Sequence, residues 1–208
     1  LGAEANDEMM EISQRVSPKL SQTSNNIFLN EKLLARVKSI YDKKEQLNLS
    51  TEDAKLLEDL YESFKANGAT LNKDDKEKYR KLSMDLSMLT LQFDQNALKD
   101  KNRFELQITD ENELSGLPES ARDAAAMLAK SKDKDGWLFN LSAPSYIPFM
   151  RYSDKRDLRE KMYREYMSVG NKGDEFDNKD IIKKIVNIRL EIAQLMGFKN
   201  YAEYALEH

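Results

Sequence analysis

The residue types that could do chemistry in this chain are carboxylates, a few arginines and one histidine, His208, at the last position. Asp53, Glu58 and Glu62, and again Asp74, Asp75 and Glu77, cluster at helical spacing. Paired carboxylates can act as acid and base when burial splits their pKa values. Here they alternate with lysines on polar faces, which reads as a solvated helix surface laced with i,i+4 pairs. A catalytic zinc site needs about three protein ligands. With no cysteine and one terminal histidine, the usual histidine pair at i and i+4 cannot form. His208 reads as a terminal or tag residue rather than a ligand.

Other motifs are equally spare. Lys130-Ser131-Lys132-Asp133-Lys134-Asp135-Gly136 lacks the spaced oxygen ligands and closing Glu of a calcium loop, and is expected to be a solvated surface loop. Gly170 and Gly173 match neither a P-loop nor a dinucleotide fingerprint. No histidine base is available for a serine nucleophile. Arg159 and Arg189 sit beside apolar helix positions. They are expected either to stitch helices through carboxylates or to meet a substrate carboxylate or another part of the protein. The methionines and aromatics near residues 79–97 could form an adaptable peptide groove, but at helical spacing they read as core. The chain itself is therefore expected to carry no catalytic, cofactor-binding or metal-binding residue.

The elements that would position these groups are mostly helical. The 208 residues include 7 Gly and 4 Pro, too few for turn-rich β architecture. Hydrophobic residues at 40% exclude a disordered chain, and a net charge of -4 argues against a nucleic-acid footprint. No apolar run reaches the length of a membrane span.

Periodicity predicts helices over Glu8–Val16 (ending near Pro18), Glu31–Leu47 capped by Asn30, a helix capped by Ser50 and closed at Asn67-Gly68, and a long helix from Asn72 to about Lys99. Leu86 is expected to be buried at the centre of that long helix. Phe104–Ile108 and Trp137–Leu141 read as short strands that could pair. Pro118 starts a helix, Pro144 and Pro148 impose an extended passage, and Ser153 begins another helix. Asn178 is expected to cap Lys179–Met196, with Gly197 ending it. A short last helix, Tyr201–Leu206, is expected to fray or to pack on a neighbour. The organisation expected is 1–102, an antiparallel helical bundle ending in the long helix; 103–150, short strands, a turn and a helix; and 151–208, a further helical segment.

Read in order, Gly68-Ala69-Thr70-Leu71-Asn72, Leu86-Ser87, Phe93-Asp94-Gln95-Asn96, Gly116-Leu117-Pro118, Leu158-Arg159-Glu160 and Leu195-Met196-Gly197-Phe198 resemble the first half of the thimet-oligopeptidase family of zinc metallopeptidases. The likeness is to its peptidyl-dipeptidase and oligopeptidase A-like members. It implies a mainly α, multihelical lobe with at most one short pair of strands, bordering a channel that admits short peptides.

The family's zinc motif, His-Glu-x-x-His, is absent from these 208 residues. The resemblance thus implies a non-catalytic portion of a peptidase, inactive alone. Its partners would be the catalytic half of the same chain and short peptide substrates, with zinc in the parent enzyme, no nucleic acid and no membrane. The compartment implied is the cytoplasm, with the periplasm open for the parent. The alternative is a stand-alone helical interaction or scaffold domain. The sequence ends just after Gly197-Phe198, where the family's chain continues, and on that ground the chain is expected to be cut within a larger architecture.

Overall fold

The computed structural model describes residues 6–207. Among them are nine α-helices and one two-stranded sheet, the mainly α architecture expected. The helices are α1 (Asp7–Phe28), α2 (Glu31–Tyr41), α3 (Thr51–Ala66), α4 (Lys73–Asn102), α5 (Glu119–Ser131), α6 (Ala143–Tyr152), α7 (Arg156–Met167), α8 (Lys179–Leu195) and α9 (Tyr201–Leu206). The strands are β1 (Leu106–Ile108) and β2 (Trp137–Phe139). Contacts group the chain into two compact units, one of residues 6–92 with 181–207, the other of residues 93–180.

The caps of the first unit are written in the sequence. Asn30 accepts from the amides of Lys32 and Leu33, satisfying two orphan donors of α2. Ser50 accepts from the Asp53 amide at 3.1 Å and donates to its carboxylate at 2.7 Å, so Asp53 belongs to a cap. Asn72 accepts from the Asp75 amide at 2.9 Å and starts α4. The core joins Leu29, Tyr79, Leu82 and Ile192, with Leu71, Leu86, Ile188, Leu195, Met196 and Tyr204 packed on it. Leu86 is half-buried rather than central; the register of α4 puts Tyr79 and Leu82 at the core instead. Phe28 meets Phe64 edge-on at 5.4 Å, and Tyr41 stacks on Tyr61 at 4.2 Å, tying α2 to α3.

The reading of Pro18 is corrected. α1 runs through Pro18 rather than stopping there. A proline removes one amide donor, and a 22-residue helix keeps the rest of its ladder. The apolar stripes of α1 to α3 are largely solvent-exposed, including Met9, Ile12, Val16, Leu33, Ile40, Leu56 and Leu60.

The second unit closes around Leu106, Ile108, Leu114, Leu117, Ala125, Phe139, Leu141, Phe149 and Met162. β1 and β2 pair antiparallel, with Leu106 opposite Phe139 and Ile108 opposite Trp137, the pairing open to the two short segments. Gly136 holds a φ of 77°, and a Cβ there would lie 2.2 Å from the Ile108 carbonyl oxygen. Only glycine lets the chain turn into β2 at that approach.

The passage across Pro144 and Pro148 is helical, forming α6, which corrects the extended reading. Pro144 falls in the first turn, where no intrahelical amide partner is needed, and α6 is short enough for Pro148 to interrupt only one bond. The helix expected from Ser153 begins at Arg156.

Phe149 is fully buried and packs edge-on against Phe139 at 4.8 Å. Phe149→Ala should cost about 3–5 kcal/mol in urea denaturation. Leu56→Ala, at a residue 65% exposed, should stay within about 0.5 kcal/mol of the parent.

Candidate functional site

The densest polar constellation lies in the second unit, where the C-terminal part of α4 meets the loop 168–178. Asp100 has no exposure to solvent. Its carboxylate accepts from the Gly170 amide at 2.7 Å, from Lys172 Nζ at 3.1 Å and from Arg103 Nε at 2.7 Å. Arg103 also reaches Asp174, and Lys172 also reaches Glu165 at 2.8 Å. Burial pulls the Lys172 pKa down, but the bonds from Glu165 and Asp100 outweigh it and the net shift is upward. Arg103 holds the Asp174 carboxyl below its ordinary range.

Asn178, the residue that precedes α8, belongs to the same joint. Its side chain donates to the Phe93 carbonyl at 3.1 Å and accepts from Asn96 Nδ2 at 3.1 Å. The residue is 2% exposed, and these bonds satisfy its buried amide. Asp177 serves the start of α8, accepting from the Lys179 amide at 2.9 Å and also from the Gly173 amide at 2.7 Å. The Lys179 amide and then its ammonium lower the Asp177 pKa. These carboxylates are answered by fixed donors, and none is poised as a free acid or base beside another.

The remaining groups singled out above fall elsewhere. Glu62 pairs with Lys65 at 2.9 Å, and Asp75 accepts from Asn72 at 2.6 Å. The segment 130–136 lies at the surface, largely exposed as expected, and is tethered there. Lys132 and Lys134 both bond Glu105, Gln107 donates to the Asp135 carbonyl at 2.9 Å, and the two lysines lower the Glu105 pKa. Arg159 donates to the Ser153 carbonyl, a main-chain partner and not a carboxylate. Arg189 lies over the Tyr201 ring at 5.2 Å, and its buried Nε has no hydrogen-bond partner among the described residues.

His208 lies outside the described residues. Among those described, no group of three or more His, Asp or Glu side chains is arranged to hold a metal. A second cavity in this unit, about 220 Å³ between α5, β2 and the start of α6, is lined by Ala121, Ala125, Leu138, Phe139 and Ser145. It contains no titratable group.

The family-like phrases are joints of the fold. Gly116 has a φ of 85°, and a Cβ there would lie 2.1 Å from the Tyr152 carbonyl oxygen. Next to it the Ser115 carbonyl accepts from the Asp154 amide at 2.9 Å. Phe93 and Asn96 receive Asn178. At Gly197, with a φ of 90°, the Phe198 amide bonds the Ala193 carbonyl at 2.9 Å and closes α8.

Tyr204 docks α9 rather than leaving it loose. Its hydroxyl donates to the Ala66 carbonyl at 2.7 Å, and its ring packs on the first unit's core. Leu206 remains 84% exposed. Burial, reinforced by Tyr204, pushes the Tyr79 hydroxyl well above its usual range and keeps it protonated.

A multihelical scaffold whose polar groups are committed to internal joints is the class that fold and site define. Comparison with known proteins adds the relationship. Residues 149–208 match the family described as Peptidase family M3. The chain is 34% identical over 203 residues to oligopeptidase A of Salmonella typhimurium, covering 96% of this chain and 30% of that protein. It is 38% identical over 176 residues to the probable cytosolic oligopeptidase A of Arabidopsis thaliana (81% of this chain, 25% of that protein). It is 32% identical over 205 residues to the dipeptidyl carboxypeptidase of Escherichia coli (98% and 30%). The chain is thus similar to oligopeptidase A and to dipeptidyl carboxypeptidase over nearly its whole length, as its motifs suggested, and spans about 30% of the length of the curated relatives it matches.

Removing the buried anchor tests the joint. Asp100→Ala should cost about 3–5 kcal/mol in urea denaturation, because Lys172 and the Gly170 amide lose their shared acceptor. Asp174 and Asp177 have depressed folded pKa values. Their stabilisation is fully present above the ordinary carboxylate pKa of about 4 and is lost as pH falls through the lower folded values. The stability gap between the parent and Asp177→Asn should therefore be constant from pH 7 to 5 and shrink below pH 4, measured by denaturation at a series of pH values.

Proposed function

We propose that this chain is the helical, non-catalytic portion of a zinc-dependent peptidase that cleaves short peptides, and that it forms part of the lobe lining the substrate channel. The observation that carries this reading is the similarity to oligopeptidase A and dipeptidyl carboxypeptidase across nearly the whole chain. Residues 151–208, which fall within the match to the M3 family, would lead toward the catalytic half.

The donors present here do not fit a zinc site, since no cluster of ligating side chains exists among the described residues. Zinc, a general base and the reacting centre therefore belong to the other part of such a protein. This chain's contribution would be steric: packed helices exclude folded substrates and admit short ones. A cytoplasmic setting accords with the name of the Arabidopsis relative, and no helix among the described residues is long and apolar enough to cross a membrane.

The 208-residue chain should retain no stoichiometric zinc after dialysis, by elemental analysis, and should show no chelator-sensitive hydrolysis of short peptides. The longer product of the same reading frame should show both. Zinc-dependent hydrolysis by the 208-residue chain itself would overturn the division of labour. A reading frame with no further coding sequence would leave a stand-alone scaffold as the function.

A further inference from the structure

We propose that the face of α8 bearing Ile182, Val186, Arg189 and Leu190 is the surface on which the catalytic remainder of the peptidase docks, and that the remainder supplies a carboxylate to Arg189. This rests on the reading of the preceding subsection. α8 carries two apolar rows. Ile181, Ile185 and Ile192 are buried in the first unit. Ile182, Val186 and Leu190 repeat at every fourth residue and form a second row, 47%, 56% and 38% exposed. Residues four apart are surface neighbours on a helix, so the three make a continuous aliphatic strip without a charge in it. Such a strip on a helix is the mark of a contact surface rather than of scattered exposed side chains.

Arg189 adds a chemical requirement. It follows Val186 by three residues and Ile182 by seven, which places it on the same side of the helix. Its Nε is buried with no hydrogen-bond partner among the described residues, and its guanidinium lies over the face of Tyr201. A ring face attracts a guanidinium but leaves its hydrogen-bond donors unused. A carboxylate in fork geometry satisfies several of them at once. The occupant is therefore aliphatic where it meets the strip and acidic where it meets Arg189.

Two observations select the catalytic remainder over other occupants. The chain spans about 30% of the length of its relatives, and α8 lies wholly inside the segment matched by the M3 family.

The test is hydroxyl-radical footprinting of the 208-residue chain and of the full-length gene product, read by mass spectrometry, together with Val186→Glu in both. The expected result is several-fold lower labelling of Ile182, Val186 and Leu190 in the full-length protein. Val186→Glu should leave the thermal midpoint of the short chain unchanged and lower that of the full-length protein. If the full-length protein is a chelator-sensitive peptidase but labels the strip as heavily as the short chain does, the docking proposal falls and the peptidase reading stands. If the full-length product lacks such activity, the peptidase reading falls and takes the proposal with it. Protection that grows with the concentration of the short chain identifies a second copy as the occupant and overturns the proposal. Protection produced by a short peptide alone, which would make the strip a substrate surface, overturns it as well.

Discussion

A carboxylate with no solvent around it must be answered by the protein, and Asp100 is such a carboxylate. The desolvation of an unpaired buried charge would cost several kcal/mol, so its neighbours are not free to be elsewhere. The Gly170 amide, Lys172 and Arg103 supply the answer. That requirement fixes the loop after α7. Once the loop is fixed, Asp177 is placed to cap Lys179 and Asn178 is placed to close on Phe93 and Asn96. A segment that looks like a polar linker is thus the most tightly specified part of its unit, held by charge rather than by apolar packing.

Much of the fold could be read in advance where the determinant is local. Asn30, Ser50 and Asn72 cap because a short side chain reaches amides two or three residues away, and sequence spacing records that reach. β1 could be read because alternation over a few residues is a two-residue signal, and β2 because a short apolar run follows the turn at Gly136. What escaped depends on partners far along the chain. Asp100 and Gly170 are 70 residues apart, and Asn178 and Phe93 are 85 apart. A capping residue type at a helix start is local logic, but the bonds from Asn178 to Phe93 and Asn96 are not visible in it. The same holds for Leu86, whose place in the stripe is right but whose burial depends on where the neighbouring helices lie. Pro18 and Pro148 carry a breaker's signal, yet each removes only one amide from its helix.

The candidate site follows this pattern. The absent zinc motif was plain, and the family-like phrases were visible as words before their meaning was. The structure gives several of them a mechanical sense: Gly116 admits a carbonyl that any side chain would displace, Phe93 and Asn96 receive Asn178, and Gly197 turns the chain out of α8. Such positions hold the fold in shape. That accords with the steric contribution proposed above. The exposed aliphatic row of α8 shows the complementary side: a surface whose composition suits a protein neighbour better than water.

The single tryptophan, Trp137, is placed in β2 and half-buried against the core of residues 93–180. The stacked Tyr41 and Tyr61 and the raised tyrosine hydroxyl of Tyr79 belong to the other unit. Indole fluorescence is therefore a local reporter, following the melting of one unit, whereas helical circular dichroism sums over both. A gap between the two transitions would measure how far the units cooperate, with no label added and no residue changed.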